Sequence, residues 1–151
     1  MFWYELRLNE DRIPGLVKSG NLICENKEYN NPEKIVDMLE ETLHLSSCAE
    51  EYAYMIAFDT KYRPLGIFEI SHGTVNASML GCRELFVRAL LCGAVSIVVA
   101  HNHPSMDLTP SKEDLQVAKR IKEAGNLMGI DLSDFLIIGN GYCSFSEEGR
   151  M

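Results

Sequence analysis

Two periods of apolar residues divide the chain into predicted strands and helices. Alternating or continuous apolar runs predict strands at residues 2–8, 20–24, 51–59, 65–71, 94–100, 135–138 and 142–145. Apolar residues three or four positions apart predict helices over 32–44, over 83–92 and from 109 or 111 to 127. Because strands and helices alternate along the chain, the pattern predicts an α/β fold with a mixed sheet flanked by helices.

The apolar faces of the second and third helices are expected to pack against this sheet. The predicted inward positions of the second helix are Leu85, Phe86, Ala89 and Leu90. Those of the third helix are Leu115, Ala118, Ile121 and Gly125.

Size and charge narrow the class of protein. A chain of 151 residues is long enough for one domain with a substantial core. Its net charge of −8 disfavours non-specific binding to nucleic acid, which needs a basic surface. The five cysteines are scattered without a Cys-x-x-Cys pair, which predicts reduced, mostly buried thiols. No apolar run reaches membrane length and the first residues do not resemble a signal peptide, so we expect a cytoplasmic protein without membrane association.

Two histidines follow the apolar run at residues 94–100. In an extended backbone His101 and His103 point to the same side, with Cβ atoms roughly 6–7 Å apart. Both imidazoles can then reach one metal ion. The alternative is that they are two solvated loop residues, since His-x-His pairs are common.

A carboxylate that could join the histidines follows on the third helix. Ser111 and Asp114 are three residues apart and lie on one helix face. They also fit a capping box, in which both side chains bind backbone N–H groups. Thr109-Pro110 offers the helix a different cap, which would leave Asp114 free to bind a ligand. Asp107, on the preceding loop, is a second candidate ligand.

Two imidazoles and one carboxylate are three of the four ligands of a catalytic zinc, whose fourth position holds water. A hydrolytic site also needs a base for that water. Glu51 stands at the start of a predicted strand and can lie at the end of the sheet, but Glu50 competes for the role.

The pattern His101-x-His103, seven residues, Ser111-x-x-Asp114, with an upstream glutamate, resembles the JAMM motif of the JAB/MPN metalloprotease fold. The strings at residues 101–114, 119–125, 134–139, 58–61 and 73–78 are similar to the RadC branch of that fold. The resemblance covers about residues 45–149. It implies a JAB/MPN-like, cytidine-deaminase-like domain over residues 45–151, with residues 1–44 as a strand and helix extension packed on the same domain.

The resemblance also implies the chemistry. It implies one Zn²⁺ held by His101, His103 and Asp114, with Glu51 as the general base, since Glu51 stands eight residues before Asp59, where the RadC pattern has its acid. Ser111 would donate a hydrogen bond to the oxyanion, and Asn102 would point away from the metal and hold the loop. The reaction would be hydrolysis of a peptide or isopeptide bond in an unknown protein or peptide substrate.

Two departures from the RadC pattern matter. Met106 stands where RadC proteins usually have glycine, which predicts a bulkier or differently bent loop. Residues 1–44 are too short for the helix-hairpin-helix region of full-length RadC proteins, so the chain is expected to be a short form with a weakened DNA role.

Two other functions stay open at this point. One is a nuclease-like or DNA-repair metalloprotein, for which residues 119–122 are the one basic cluster in the sequence. The other is a non-catalytic MPN scaffold, although such relatives lack the metal ligands. A homodimer, with the first strand pairing between two chains, is also open.

Overall fold

A computed structural model describes residues 2–21, 28–73 and 80–151 of the chain. Seven strands form one sheet: β1 Phe2–Leu8, β2 Pro14–Asn21, β3 Tyr52–Phe58, β4 Pro64–His72, β5 Ser96–Asn102, β6 Asp131–Gly139 and β7 Gly141–Ser144. Three α-helices accompany them: α1 Pro32–Leu43, α2 Cys82–Leu91 and α3 Lys112–Met128. A short 3₁₀ turn at Leu45–Ser47 follows α1.

The sheet has the strand order β2-β1-β4-β3-β5-β6-β7. β5 pairs with β6 in parallel through the α3 crossover, and β1 pairs with β4 in parallel. The remaining neighbours are antiparallel. The predicted α/β fold with a mixed sheet is therefore confirmed. The predicted strand at residues 2–8 lies inside this sheet, between β2 and β4.

Alternating side chains of the central strands build a separate core on each face of the sheet. Ile97 and Val99 of β5 pack with α2 and α3 on one face. Val98 and Ala100 pack with α1 and the 3₁₀ turn on the other. Because successive residues of a strand point to opposite faces, the odd-numbered residues of β5 face α3. This alternation decides which residues at the end of β5 reach the start of α3.

The first helix begins as its sequence predicts. The Asn31 side chain accepts a hydrogen bond from the Lys34 N–H at 2.9 Å, and Pro32 occupies the first helical position. α1 ends at Leu43 because His44 adopts a left-handed conformation with φ 49°.

Several boundaries and two core positions differ from the prediction. The strand predicted at 20–24 overlaps β2, which spans Pro14–Asn21, only at residues 20 and 21, and residues 22–24 lie outside the described part of the chain. β6 begins at Asp131 and ends at Gly139, so it is longer than the strand predicted at 135–138. Leu90 and Leu115 are 56% and 39% exposed, so their predicted inward positions are wrong. α3 instead turns Asp114 and Val117 inward, so that its buried stripe begins with a carboxylate.

Four of the cysteines lie in the described ranges, and all four are free thiols. Cys143 is buried, whereas Cys48, Cys82 and Cys92 are half-buried, so the described thiols are less buried than predicted. None of the helices formed by residues 2–21, 28–73 and 80–151 is both long and apolar enough to span a membrane.

Candidate metal centre

The two histidines lie at the carboxyl end of β5, next to the amino end of α3. His101 is the last residue but one of the strand and is fully buried, with its ring edge-on to Phe135 at a centroid distance of 5.3 Å. His103 follows the strand, and its ring lies 4.9 Å from the ring of His101 at an angle of 22°. The pair therefore points to one side, as the His-x-His spacing predicts. Crevices at the carboxyl ends of parallel strands are common ligand sites in α/β proteins.

Asp114 is both a capping residue and a neighbour of the histidines. Its Oδ2 accepts hydrogen bonds from the Ser111 N–H at 2.8 Å and the Ser111 hydroxyl at 2.7 Å. The Asp114 N–H donates in return to Ser111 Oγ at 3.0 Å. Ser111 is thus the N-cap of α3, and the predicted cap at Thr109-Pro110 is wrong. Asp114 can belong to the capping box and also be a candidate ligand, because the capping box orients its carboxylate toward His101 and His103.

The three side chains are spaced as the ligands of one tetrahedral ion. His101 Nε2 lies 3.5 Å from Asp114 Oδ1, and His103 Nε2 lies 3.6 Å from Asp114 Oδ2. Ligand atoms from all three residues lie within 4.8 Å of one another. Two ligands of a tetrahedral zinc at 2.0–2.2 Å from the metal are roughly 3.4 Å apart. The spacing is too long for strong charge-assisted hydrogen bonds and close to that of zinc ligands.

The buried imidazole of His101 gives an independent reason for a cation. Neither His101 Nδ1 nor His101 Nε2 has a hydrogen-bond partner among the described residues. Leaving a buried polar group unpaired costs about 1–3 kcal/mol. A cation held between His101 and Asp114 would satisfy one ring nitrogen, so the residues fit the metal that the motif implies.

His103 is oriented by the loop that follows it. Its Nδ1 lies 2.7 Å from the Asp107 carbonyl oxygen, so Nδ1 carries the proton and donates it. Nε2 is then left with its lone pair, which is the arrangement of a metal-bound histidine. The Asp107 carboxylate instead accepts a hydrogen bond from the Thr109 N–H at 2.9 Å and is exposed. Asp107 therefore contributes through its backbone, whereas the carboxylate in the cluster is that of Asp114.

The protonation states of His101 and Asp114 suit metal binding. Burial lowers the pKa of His101 to about 4. The nearby Asp114 carboxylate raises the pKa of His103 above its usual value. Burial alone would raise the pKa of Asp114, but His103, His101 and the Ser111 hydrogen bonds outweigh it and bring the pKa to about 2. At neutral pH His101 is uncharged and Asp114 is anionic, as metal ligation requires.

A cleft of about 490 Å³ opens beside the cluster, and Glu51, His103, Ser111 and Asp114 line it. Burial raises the pKa of Glu51, with the charge of His103 opposing and that of Asp114 adding to the effect. A raised pKa brings a carboxylate closer to the working range of a general base. The backbone of Glu51 is fixed by the Gly73 N–H, which donates to the Glu51 carbonyl at 2.9 Å.

Glu50 lies at the outer part of the same cleft. Its carboxylate pairs with His72 Nε2 at 2.5 Å, and its side chain is 60% exposed. The His72 ring stacks on Tyr52 with a centroid distance of 4.0 Å. Because Glu50 is already paired and exposed, the geometry favours Glu51 as the base.

Met106 shapes the loop between His103 and α3. It adopts a left-handed conformation with φ 64°, which is uncommon for a residue other than glycine. Its N–H donates to the His103 carbonyl at 2.8 Å, and its own backbone packs on Gly139, where a Cβ would lie 2.9 Å from the Met106 carbonyl oxygen. The loop thus keeps a turn suited to glycine and projects a methionine side chain that is 43% exposed.

Two contributors to the site escaped prediction from the sequence. The Asp107 carbonyl orients His103, and no side-chain pattern can reveal this because every residue carries a carbonyl. The pairing of Glu50 with His72 joins residues 22 positions apart, so it depends on the antiparallel pairing of β3 with β4.

Comparisons with known proteins find matches over most of the chain. A family model described as the RadC-like JAB domain matches residues 29–150, a range that includes α1. A UPF0758 protein from Clostridium tetani is 40% identical over 132 residues, which cover 87% of this chain and 55% of that protein. A UPF0758 protein from Pelobacter propionicus is 38% identical over 122 residues, or 80% of this chain and 52% of that protein.

The chain spans about half the length of the curated relatives it matches. The family match covers most of the chain and contains the described residues of the cluster and of the cleft lining, from Ala49 to Asp114. This chain belongs to the RadC-like JAB domain family.

Proposed function

We propose that this protein is a zinc-dependent hydrolase that cleaves a peptide or isopeptide bond. The observation that carries the proposal is the buried, unpaired imidazole of His101, with His103 and Asp114 at the spacing of tetrahedral ligands. The cleft beside these residues supplies a carboxylate with a raised pKa, that of Glu51. The substrate would be a protein or peptide segment that fits the open cleft.

His101, His103 and Asp114 would hold the ion. When bound, zinc supplies a Lewis acid that polarises the scissile carbonyl and makes water more acidic. Glu51 accepts a proton from the attacking water and transfers it to the leaving amine. The pKa of Glu51 is raised by burial, which makes the protonated form of this carboxylate accessible for the second transfer.

Ser111 has two candidate roles that compete for one proton. The sequence motif implies that its hydroxyl donates to the oxyanion, a contribution of about 2.7–4 kcal/mol in known oxyanion holes. In the structure the hydroxyl donates to Asp114 Oδ2 at 2.7 Å. To donate to an oxyanion, the Ser111 hydroxyl must therefore turn its proton away from Asp114 Oδ2. The N-cap hydrogen bond can persist, because in that bond Ser111 Oγ accepts from the Asp114 N–H.

Metal analysis of the purified protein tests the proposal. We expect about one zinc per chain, and we expect His103→Ala and Asp114→Ala to lose it because each removes a ligand. Glu51→Gln should keep the zinc and lose most of its hydrolysis of a set of fluorophore-quencher peptides and of an isopeptide-linked lysine peptide, leaving a small residual rate.

Asp107→Ala is the matched control, since it removes an exposed carboxylate and keeps the carbonyl that orients His103. Zinc retained by Asp114→Ala but lost by Asp107→Ala would transfer the ligand role to Asp107. A zinc-loaded protein that hydrolyses neither probe would contradict the proposed activity and favour the scaffold role.

The charge of the cleft bears on the nuclease alternative. Among its described lining residues are the three carboxylates of Glu50, Glu51 and Asp114, and none of these described residues is a lysine or arginine. A phosphodiester backbone is bound mainly through basic side chains. The cleft therefore supports an amide substrate better than a nucleic acid.

A further inference from the structure

Asn102 lies between the two candidate ligands in sequence, but its side chain serves a different segment. It is fully buried, and its amide binds the backbone at the start of β3. The Tyr52 N–H donates to Asn102 Oδ1 at 2.7 Å. Asn102 Nδ2 donates to the carbonyl oxygens of Glu50 at 3.0 Å and Cys48 at 3.4 Å. These three contacts bracket Glu51.

The amide extends the pairing of β3 with β5 beyond its last backbone pair. That register runs from Phe58 opposite Ser96 to Ala53 opposite His101. Past this point the Asn102 side chain supplies the acceptor and donors that the backbone of β5 no longer offers. On the other side, the Gly73 N–H donates to the Glu51 carbonyl. The main chain at Glu51 is therefore fixed from two directions.

The contacts require the functional groups of asparagine. A carboxamide offers one oxygen acceptor and two N–H donors, and all of these are used here. Aspartate would face two carbonyl oxygens without a donor, and serine offers only one proton for them. Replacement by either leaves at least one of these partly buried backbone groups without its partner.

We propose that Asn102 is a positioning residue that holds Glu51 at the cleft while the flanking histidines hold the metal. The inference rests on the proposed role of Glu51 as the base. One strand end would then fix both parts of the site, since His101 and His103 face α3 and Asn102 clamps the segment that carries the carboxylate.

Kinetics of Asn102→Ala in two backgrounds test the positioning role. Against one quenched peptide that the parent protein cleaves, we expect kcat to fall about 10- to 100-fold, the usual effect of losing a supporting contact, with little change in KM or zinc content. In the Glu51→Gln background the same substitution should cause little further fall in the residual rate, because its effect passes through Glu51. An equal fold-fall in kcat in both backgrounds would overturn the proposal. So would a loss of zinc content as large as the loss of activity.

Ser144→Ala is the matched control. It also removes a buried side-chain hydrogen bond, from Ser144 Oγ to Asp134 Oδ2 at 2.6 Å, but at a residue that does not line the cleft. We expect it to lower stability and to leave kcat and zinc content unchanged. A fall in kcat as large as that of Asn102→Ala would show that general destabilisation explains both, and would overturn the positioning role.

Amide hydrogen exchange gives a readout that needs no activity. In zinc-loaded Asn102→Ala, the Tyr52 N–H should exchange at least about tenfold faster than in the parent, because its acceptor is gone. The β5 amides should keep their protection. Unchanged protection at Tyr52 would overturn the clamp. If the parent protein hydrolyses no probe but the Tyr52 N–H still exchanges faster in Asn102→Ala, the result contradicts the proposed hydrolase function and leaves the clamp by Asn102 standing.

The parent protein supplies a measurement if the variant does not fold. The two side-chain NH₂ protons of Asn102 should exchange at least about tenfold more slowly than those of the exposed Asn140, because the Asn102 side chain is buried and its NH₂ group donates to two backbone carbonyls. Equal exchange rates for the two side chains would contradict the contacts on which the proposal stands.

Discussion

His101 is the most buried of the three candidate metal ligands. It is fully buried beside Asp114 and Phe135, and it has no hydrogen-bond partner among the described residues. Burial keeps it uncharged at neutral pH by lowering its pKa to about 4. The same burial that prepares a metal ligand makes the metal-free protein sensitive to acid.

We predict that the metal-free protein loses stability on acidification because of His101. The unfolded chain takes up a proton at this residue below pH 6.5, whereas the folded chain resists until about pH 4. The unfolded state then binds more protons, and the free energy of unfolding falls by about 2 kcal/mol between pH 7.5 and pH 5 from this residue alone. Urea unfolding of metal-free protein across this range measures the change.

His103 acts in the opposite sense, since Asp114 raises its pKa in the folded chain. Its contribution is present below its unfolded pKa and is lost as the pH rises through its folded pKa. His101→Gln keeps that contribution, so the difference between parent and variant isolates His101. Parallel pH profiles for the two proteins would show that burial does not hold His101 neutral.

Ser111 supports the carboxylate of Asp114 with two hydrogen bonds and receives one in return. We predict that Ser111→Ala lowers zinc affinity about 10- to 100-fold, as expected for a residue that orients a ligand. The free energy of unfolding should also fall by about 1 kcal/mol from loss of the cap. Ser111→Thr keeps the hydroxyl and should retain most of the zinc affinity and most of the free energy of unfolding. Chelator competition measures the first and denaturant titration the second. Equal zinc affinity in the alanine variant would leave Ser111 with a capping role only.

At the scale of elements, the site depends on the loop from β5 to α3 resting on the end of β6. The His103 N–H donates to the Ile138 carbonyl at 2.8 Å, and the Met106 backbone packs directly on Gly139. The loop therefore cannot move without shifting His103. The left-handed Met106 is tolerated because these contacts fix the loop on both sides.

We predict that Gly139→Ala displaces this loop and weakens zinc binding. The added Cβ would lie 2.9 Å from the Met106 carbonyl oxygen and 3.1 Å from its Cα, and backbone atoms cannot yield as a flexible side chain can. Zinc affinity by chelator competition should fall about tenfold or more, as for loss of an orienting contact. Gly15→Ala is the control, because a Cβ there meets no atom within 4 Å. Full zinc affinity in Gly139→Ala would show that the loop yields at no cost to the site.

At the scale of the whole molecule, the periods of apolar residues predicted the class of fold and most elements. They failed at α3, where Leu115 continues the helical period but is exposed, because the inward position belongs to the polar Asp114. The order β2-β1-β4-β3-β5-β6-β7 could not be predicted, since pairing of distant strands leaves no local pattern. The three candidate ligands were predictable because their spacing is local. The roles of the Asp107 carbonyl and the Glu50–His72 pair were not, because both depend on tertiary contacts.

The acidity of the chain leads to a prediction about nucleic acid. With a net charge of −8 and acidic side chains at the cleft, we expect no detectable mobility shift of single- or double-stranded DNA near about 100 mM salt. Zinc-loaded and metal-free protein should behave alike. DNA binding that persists at this salt concentration would support the nuclease-like or DNA-repair function. If substitution of Lys119 and Arg120 then abolished DNA binding, these residues would be the contact.

Alternate side chains of β5 point to opposite faces of the sheet, so the site depends on the number of residues in this strand. A single insertion between Val99 and Ala100 would rotate the imidazoles toward α1 and bring the carboxamide under α3, which would abolish both halves of the site at once. Insertions in the hairpin turns at residues 9–13 and 59–63 leave that parity intact. Tolerance of added residues should therefore differ sharply between these turns and the central strand.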